Sequence, residues 1–238
     1  THGFYVFGCN SNMVSRSYMW GGSNGAYADS GSVLNTISLS TMISSAVDAA
    51  ALVLYGGSSN TIVDSYIRGS TAAFVTGSTG TIITGSVLIA TNTFGSALAV
   101  ADGSVNLTLS SSALIAPSAG RGLYLDRDNV GVISLGSVTV TGAARGLLIS
   151  TQGALFSLMV DSITFRALAS GSTAVHFLGG TFVSSFNLAN FEDSTIGANV
   201  SGMALSLASR ITMNSHSGLR SGYVYENDPN SLVFWEGD

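Results

Sequence analysis

The chain repeats itself about every 24 residues. The clearest pair, Arg121-Gly-Leu-Tyr-Leu125 and Arg145-Gly-Leu-Leu-Ile149, begins on arginines 24 positions apart. Related runs recur from end to end, among them Gly3-Phe-Tyr-Val-Phe7, Ala51-Leu-Val-Leu-Tyr55, Ala97-Leu-Ala-Val-Ala101 and Ala174-Val-His-Phe-Leu178. A fixed period in the twenties is the signature of a solenoid, in which each coil buries its apolar face only against its neighbours.

Aligning the first run of each repeat gives ten coils, starting at Gly3, Gly25, Ala51, Ala72, Ala97, Gly122, Gly146, Ala174, Gly202 and Gly222. The second and fourth positions are apolar throughout, from Phe4/Val6, Leu52/Leu54 and Leu98/Val100 to Val175/Phe177, Met203/Leu205 and Tyr223/Tyr225. Alternation with period two describes a strand with one buried face, and stacking would place these residues in columns ~4.8 Å apart. A second strand zone follows, as in Thr61-Ile-Val-Asp-Ser-Tyr-Ile67 and Thr81-Ile-Ile-Thr-Gly-Ser-Val-Leu-Ile89. Small or polar pairs interrupt it: Asp64-Ser65, Gly85-Ser86, Ser111-Ser112, Gly136-Ser137 and Asp161-Ser162. Such pairs suit a tight corner between strands, and stacked serines would pass hydrogen bonds along it. No window holds a helical period.

Composition narrows the class. Hydrophobic residues make up 46%, which excludes a disordered chain, but charged residues make up only 9% and all eight basic residues are arginine. The net charge of −5 with no basic run argues against nucleic acid and anionic membranes. Cys9 is the single cysteine, so an internal disulfide is excluded, and its place beside the first strand reads as a small buried hydrophobe. The longest apolar stretch, Ala49 to Tyr55, is far short of a membrane span. The chain opens on a strand-like segment without Met, which reads as a processed or truncated end with a larger protein upstream.

The fold class expected is all-β, a right-handed parallel β-helix over residues 1–226, with residues 227–238 as a cap or hand-off after Pro229. Corner patterns such as Asn60-Thr-Ile-Val-Asp-Ser-Tyr-Ile67 resemble repeats of the right-handed parallel β-helix superfamily: pectate-lyase-like enzymes, phage tailspikes and β-helical adhesins. A transmembrane β-barrel is the competing architecture, but its uneven polar hairpin loops and charged lumen are missing here.

The outward positions of the first strand zone are unusually apolar. Tyr5, Phe7, Tyr27, Val53, Tyr55 and Phe74, then Tyr124 and Leu148, would merge into one aromatic patch. A patch of that kind implies cover by loops, a subunit interface or a sugar-binding platform. The resemblance to tailspikes implies a homotrimer.

Candidate chemistry centres on Asp126-Arg127-Asp128-Asn129. Asp126 and Asp128 could act as the carboxylate pair of a glycoside hydrolase, with Arg127 assisting binding; the alternative is an ordinary Asp/Asn turn. Glu192-Asp193 reads as a corner equivalent to Asp161-Ser162, and Glu226 and Asp228 belong to the last coil. His176 faces outward two coils beyond Asp126, while His2 and His216 have no evident partners. Metal-ligand spacing, a phosphate loop and a nucleophile elbow are all missing, so no metal or cofactor is expected. The residues before Asp126 in its register, Tyr55, Thr76 and Ala101, form no aspartate column for a calcium-dependent lyase. An outward Thr139/Thr141 pair is not repeated on neighbouring coils, as an ice-binding face would require.

The expected function is a tailspike or tail-fibre β-helix that recognises, and in one version cleaves, a bacterial surface polysaccharide, located on a virion or outside the cell. A non-catalytic adhesin or structural solenoid, and a secreted monomeric hydrolase or epimerase, are the alternatives.

Overall fold

The structure, a computed structural model, describes residues 1–238 except 127, 151, 167, 170–171, 179, 191–195, 201–209, 214–215, 218–224, 228–233 and 237–238. In 152–155, 180–183, 186, 188–190 and beyond 195 the backbone alone is described. Arg127, Glu192, Asp193 and Asp228 therefore lie outside the described residues, as does the side chain of Glu226.

The chain is a parallel β-solenoid with three faces. The first face is a ten-stranded sheet that takes one strand per coil, beginning His2–Val6, Asn24–Ala28, Ala50–Tyr55, Thr71–Thr76 and Ser96–Ala101 and continuing through Arg121–Leu125, Arg145–Ile149 and Thr173–Phe177. The second and third faces belong to one 17-stranded sheet bent at a corner. Met13–Ser15, Thr36–Ser38, Thr61–Val63 and Ile82–Thr84 start the second face; Tyr18–Gly21, Thr41–Ser44, Tyr66–Gly69 and Val87–Ala90 start the third. Neighbouring strands in both sheets pair in parallel, as in Phe74↔Val53 and Ile83↔Ile62, which excludes the antiparallel hairpins of a barrel. No helix among the described residues is long and apolar enough to cross a membrane.

The first-face sheet has ten strands, as many as the coils read from the sequence. The inward columns agree with the sequence alignment from Phe4/Val6 to Val175/Phe177. The last two registers differ. Ala198, not Met203, pairs with Val175, and Tyr225, not Tyr223, pairs with Ala198. Ala198-x-Val200 alternates as well as Met203-x-Leu205 does, so the pattern alone admits both.

A column of small residues sets how closely the first and third faces approach. Gly3, Gly25, Ala51, Ala72, Ala97, Gly122, Gly146 and Ala174 occupy the second position of successive strands, and its alanines are fully buried. A Cβ at Gly25 would stand 2.5 Å from the Ile43 nitrogen on the third face, and one at Gly146 would collide with the Phe165 ring. Branched or larger side chains in this column would force the two sheets apart.

Side-chain ladders hold the corners. Between second and third faces, the Ser17, Ser40, Ser65 and Ser86 backbone N–H groups donate to the Oγ of Ser40, Ser65, Ser86 and Ser112 at 3.1–3.2 Å. The residue before each serine is left-handed: Arg16, Leu39, Asp64, Gly85 and Ser111 have φ between 47° and 61°. The expected serine relay is therefore present, but it ends at Ser112. There the alignment needs correcting, because Ser112 faces Val138, not Ser137, and Asp161-Ser162 lies inside the continuous strand Gln152–Arg166 rather than at a corner. Asp161 matches Asn187 in the next strand, and Glu192-Asp193, read from the sequence as its equivalent, lies outside the described residues.

The corner that opens the second face carries an asparagine ladder. Asn12 donates its backbone N–H (3.0 Å) and Nδ2 (2.9 Å) to Oδ1 of Asn35, and Asn35 repeats both bonds to Asn60 at 3.1 Å. The next residue in this column is Thr81, whose buried Oγ1 has no hydrogen-bond partner. At the end of the first face, buried Ser78 and Asn129 donate to the Leu54 and Val100 carbonyls of the preceding coil. Cys9, expected to be buried, is exposed in the link after the first strand, where its thiol bonds the Phe7 carbonyl.

These ladders give opposite expectations for two variants. Asn35→Leu leaves the Asn12 backbone N–H and Nδ2 without their acceptor, while Asn60 Oδ1 keeps only the residue-35 backbone N–H, and should destabilise by roughly 2–3 kcal/mol. Thr81→Asn extends the ladder and should stabilise by about 1 kcal/mol. Denaturant unfolding of both variants checks the pair.

Candidate functional site

The outward side chains of the first face do not form one continuous patch. Val53 and Leu148, expected outside, are 8% and 5% exposed because larger neighbours in the same column, Tyr27 and Phe74 or Tyr124 and His176, close over them. Two separate features remain.

At the N-terminal coils Tyr5, Phe7 and Tyr55 are exposed and Tyr27 is half-buried. His2 has ring partners that the sequence reading missed: it stacks on Tyr5 at 5.4 Å and lies 5.1 Å from Tyr27. The Tyr5 hydroxyl donates to Oδ2 of Asp29 on the next coil at 2.9 Å. That bond, then desolvation, raises the Tyr5 pKa above its ordinary value near 10. The Ser30 backbone N–H, followed by the Tyr5 hydroxyl, holds Asp29 below the usual carboxylate range.

The second feature is an open groove of about 250 Å³ across four strands, from Ala50–Tyr55 to Arg121–Leu125. Phe74 and Tyr124 stand at the same register two strands apart, with Ala99 between them. The alanine leaves a gap between two aromatic walls ~10 Å apart by strand spacing. Ala101 and Ser96 continue the floor, and Asp48 and Phe94 come from the loops that lead into their coils. Sequence reasoning missed Asp48, Phe94 and Arg121; a small residue flanked in its own column by two aromatics was the available signal.

One end of the groove is polar and ordered. The Arg121 guanidinium lies 4.9 Å from the Tyr124 ring centroid, and its Nη1 donates to the Phe94 carbonyl at 3.3 Å. Its Nε is buried without a hydrogen-bond partner. The Tyr124 hydroxyl donates to Oδ1 of Asp126 at 2.9 Å. Burial first, and then the bond to Asp126, push the Tyr124 pKa up, so Tyr124 keeps its proton and remains a donor.

The two candidate carboxylates separate. Asp126 is half-buried and lines the groove; Asp128 is exposed in the following turn with φ 69° and is outside the groove lining. Gly56, Gly77 and Asp102 adopt the same left-handed conformation after earlier strands of this face, so Asp128 occupies a corner position. The other carboxylate of the groove, Asp48, lies three strands away and before the start of its strand, on the order of 20 Å from Asp126. Glycoside hydrolysis needs a pair roughly 5–9.5 Å apart. His176 is also accounted for, since its Nδ1 accepts from Arg145 Nε at 3.1 Å. Among the described residues no three His, Cys, Asp or Glu side chains gather as metal ligands.

The third face carries further exposed aromatics, Tyr18, Trp20 and Tyr66, which the sequence reading did not single out. No protein-family model, curated protein or solved structure matches the chain.

The raised tyrosines give a pH expectation. Tyr5, Tyr27 and Tyr124 should form tyrosinate only above the ordinary range, and the stability they contribute is present below pH ~10 and lost as pH rises through their raised values. Absorbance titration should show Asp29→Asn bringing Tyr5, and to a smaller extent Tyr27, back toward the ordinary value while Tyr124 stays raised.

Proposed function

We propose that this solenoid is the recognition domain of a tailspike- or tail-fibre-type attachment protein, which holds a bacterial surface polysaccharide in the groove of the first face. The observation that carries this reading is the pairing of Phe74 and Tyr124 across Ala99, with Arg121 and Asp126 at one end. Aromatic faces pack against the C–H side of a sugar ring, while a guanidinium, a phenol and a carboxylate bond its hydroxyls. Low charge, no lysine and the exposed Tyr5, Phe7 and Tyr55 support burial of the N-terminal coils between subunits of a trimer on a virion or outside a cell.

A non-catalytic adhesin is the second reading. It is favoured by Asp128 occupying a corner and by the wide separation of the groove's two carboxylates. On this second reading the apolar outward side chains form a packing surface and the acidic residues serve turns.

Phe74→Ala and Tyr124→Ala should each weaken binding of polysaccharide fragments about tenfold, measured by calorimetry. Unchanged affinity in both variants rejects the groove. If the wild-type chain cleaves a polysaccharide, Asp126→Asn should abolish the cleavage; retained activity removes Asp126 from any catalytic role. Light scattering should report a mass of three chains, and a monomer would count against the tailspike assembly.

A further inference from the structure

We propose that the second face carries a separate binding groove for a neutral oligosaccharide. This groove, of about 320 Å³, crosses four adjacent strands: Val105–Ser110, Val130–Gly136, Gln152–Arg166 and Gly180–Asn190. Its volume falls within the ~300–1,000 Å³ of small-molecule sites, and three strand steps make it ~14 Å long, room for a short run of sugar rings.

The lining sets the ligand's chemistry. Thr108, Ser110, Ser134 and Ser185 supply hydroxyls, and Asp161 and Asn187 supply a carboxylate and an amide, with Asn187 Nδ2 3.4 Å from Asp161 Oδ1. The Ser110 hydroxyl donates to Thr84 Oγ1 at 2.9 Å, which turns its acceptor lone pairs away from that bond. Met159, 52% exposed, adds an apolar surface against which a ring's C–H face can lie. Among the described residues no arginine or histidine lines the groove, and Asp161 repels anions, so uronates and sialylated glycans are disfavoured. The one carboxylate among the described lining residues is too few for a calcium site.

Gly136 opens the groove. It pairs with Ser110 on one side, and a Cβ built on it would meet nothing nearer than the Ser110 Cβ at 3.8 Å. A large side chain therefore fits on the strand and fills the groove without disturbing the core. This groove is on a different face from the Phe74–Tyr124 groove, and its argument does not depend on that one.

Titration calorimetry of the full chain against maltoheptaose, cellohexaose and xylohexaose, with a hexauronate as the anionic control, tests the proposal. The expected result is a neutral-glycan site that Gly136→Trp removes and Asp161→Asn weakens about tenfold, while Ala99→Trp in the first-face groove leaves it intact. Circular dichroism verifies that each variant is folded. Neutral-glycan binding unchanged by both Gly136→Trp and Asp161→Asn overturns the proposal, as does binding of the hexauronate alone or of none of the four. Binding lost in Gly136→Trp but unaffected by Ala99→Trp supports this groove even if the first-face groove binds nothing.

Discussion

At the two corners that flank the second face, a backbone N–H of the N-terminal coils meets a side-chain oxygen of the next coil, and the register of those coils depends on that pairing. Strands can pair in parallel at any offset that hides their apolar side, so alternation alone fixes only which face is buried. The Ser40–Ser65–Ser86–Ser112 and Asn12–Asn35–Asn60 ladders add a second condition: a specific side chain must arrive at the corner of each turn. The left-handed residue beside each rung has a real cost when it is not glycine, as at Leu34 and Leu39. Those two leucines remain exposed, so the strain is offset by the hydrogen bonds it permits rather than by burial. Where the serine ladder stops at Ser112, Val138 and Ile163 fill its column, and one turn later the corner straightens into the strand Gln152–Arg166.

With corners and interior so constrained, the outward positions are left to vary, and the surface chemistry follows from which residues are stacked. Alanine between two aromatics makes a slot on the first face, and glycine beside serines opens a polar groove on the second. Neither feature requires a loop excursion beyond the short turns that carry Asp48 and Phe94. Both grooves run across four successive coils.

Much of this was legible in the amino-acid sequence. The buried face of eight successive inward pairs, from Phe4/Val6 to Val175/Phe177, was legible because a one-residue slip would expose every one of them. Three features were hidden for physical reasons. Parity placed Val53 and Leu148 outside, but exposure also depends on the bulk of the residues above and below in the column. Gly136-Ser137 looks like Gly85-Ser86, yet the register shift against Val105 and Leu107 adds a residue to that coil and moves the corner by one. The sequence left Asp128 open between a turn residue and half of a carboxylate pair, and its left-handed backbone and its place outside the groove lining decide for the turn.

The central claim is that the Phe74–Tyr124 slot is a ligand surface, and hydroxyl-radical footprinting with a bound polysaccharide fragment tests it most directly. The account predicts that Phe74, Phe94 and Tyr124 lose labelling while Tyr18, Trp20 and Tyr66 on the third face label as before. Unchanged labelling at Phe74, Phe94 and Tyr124 under saturating ligand, with protection appearing on the third face instead, would contradict it.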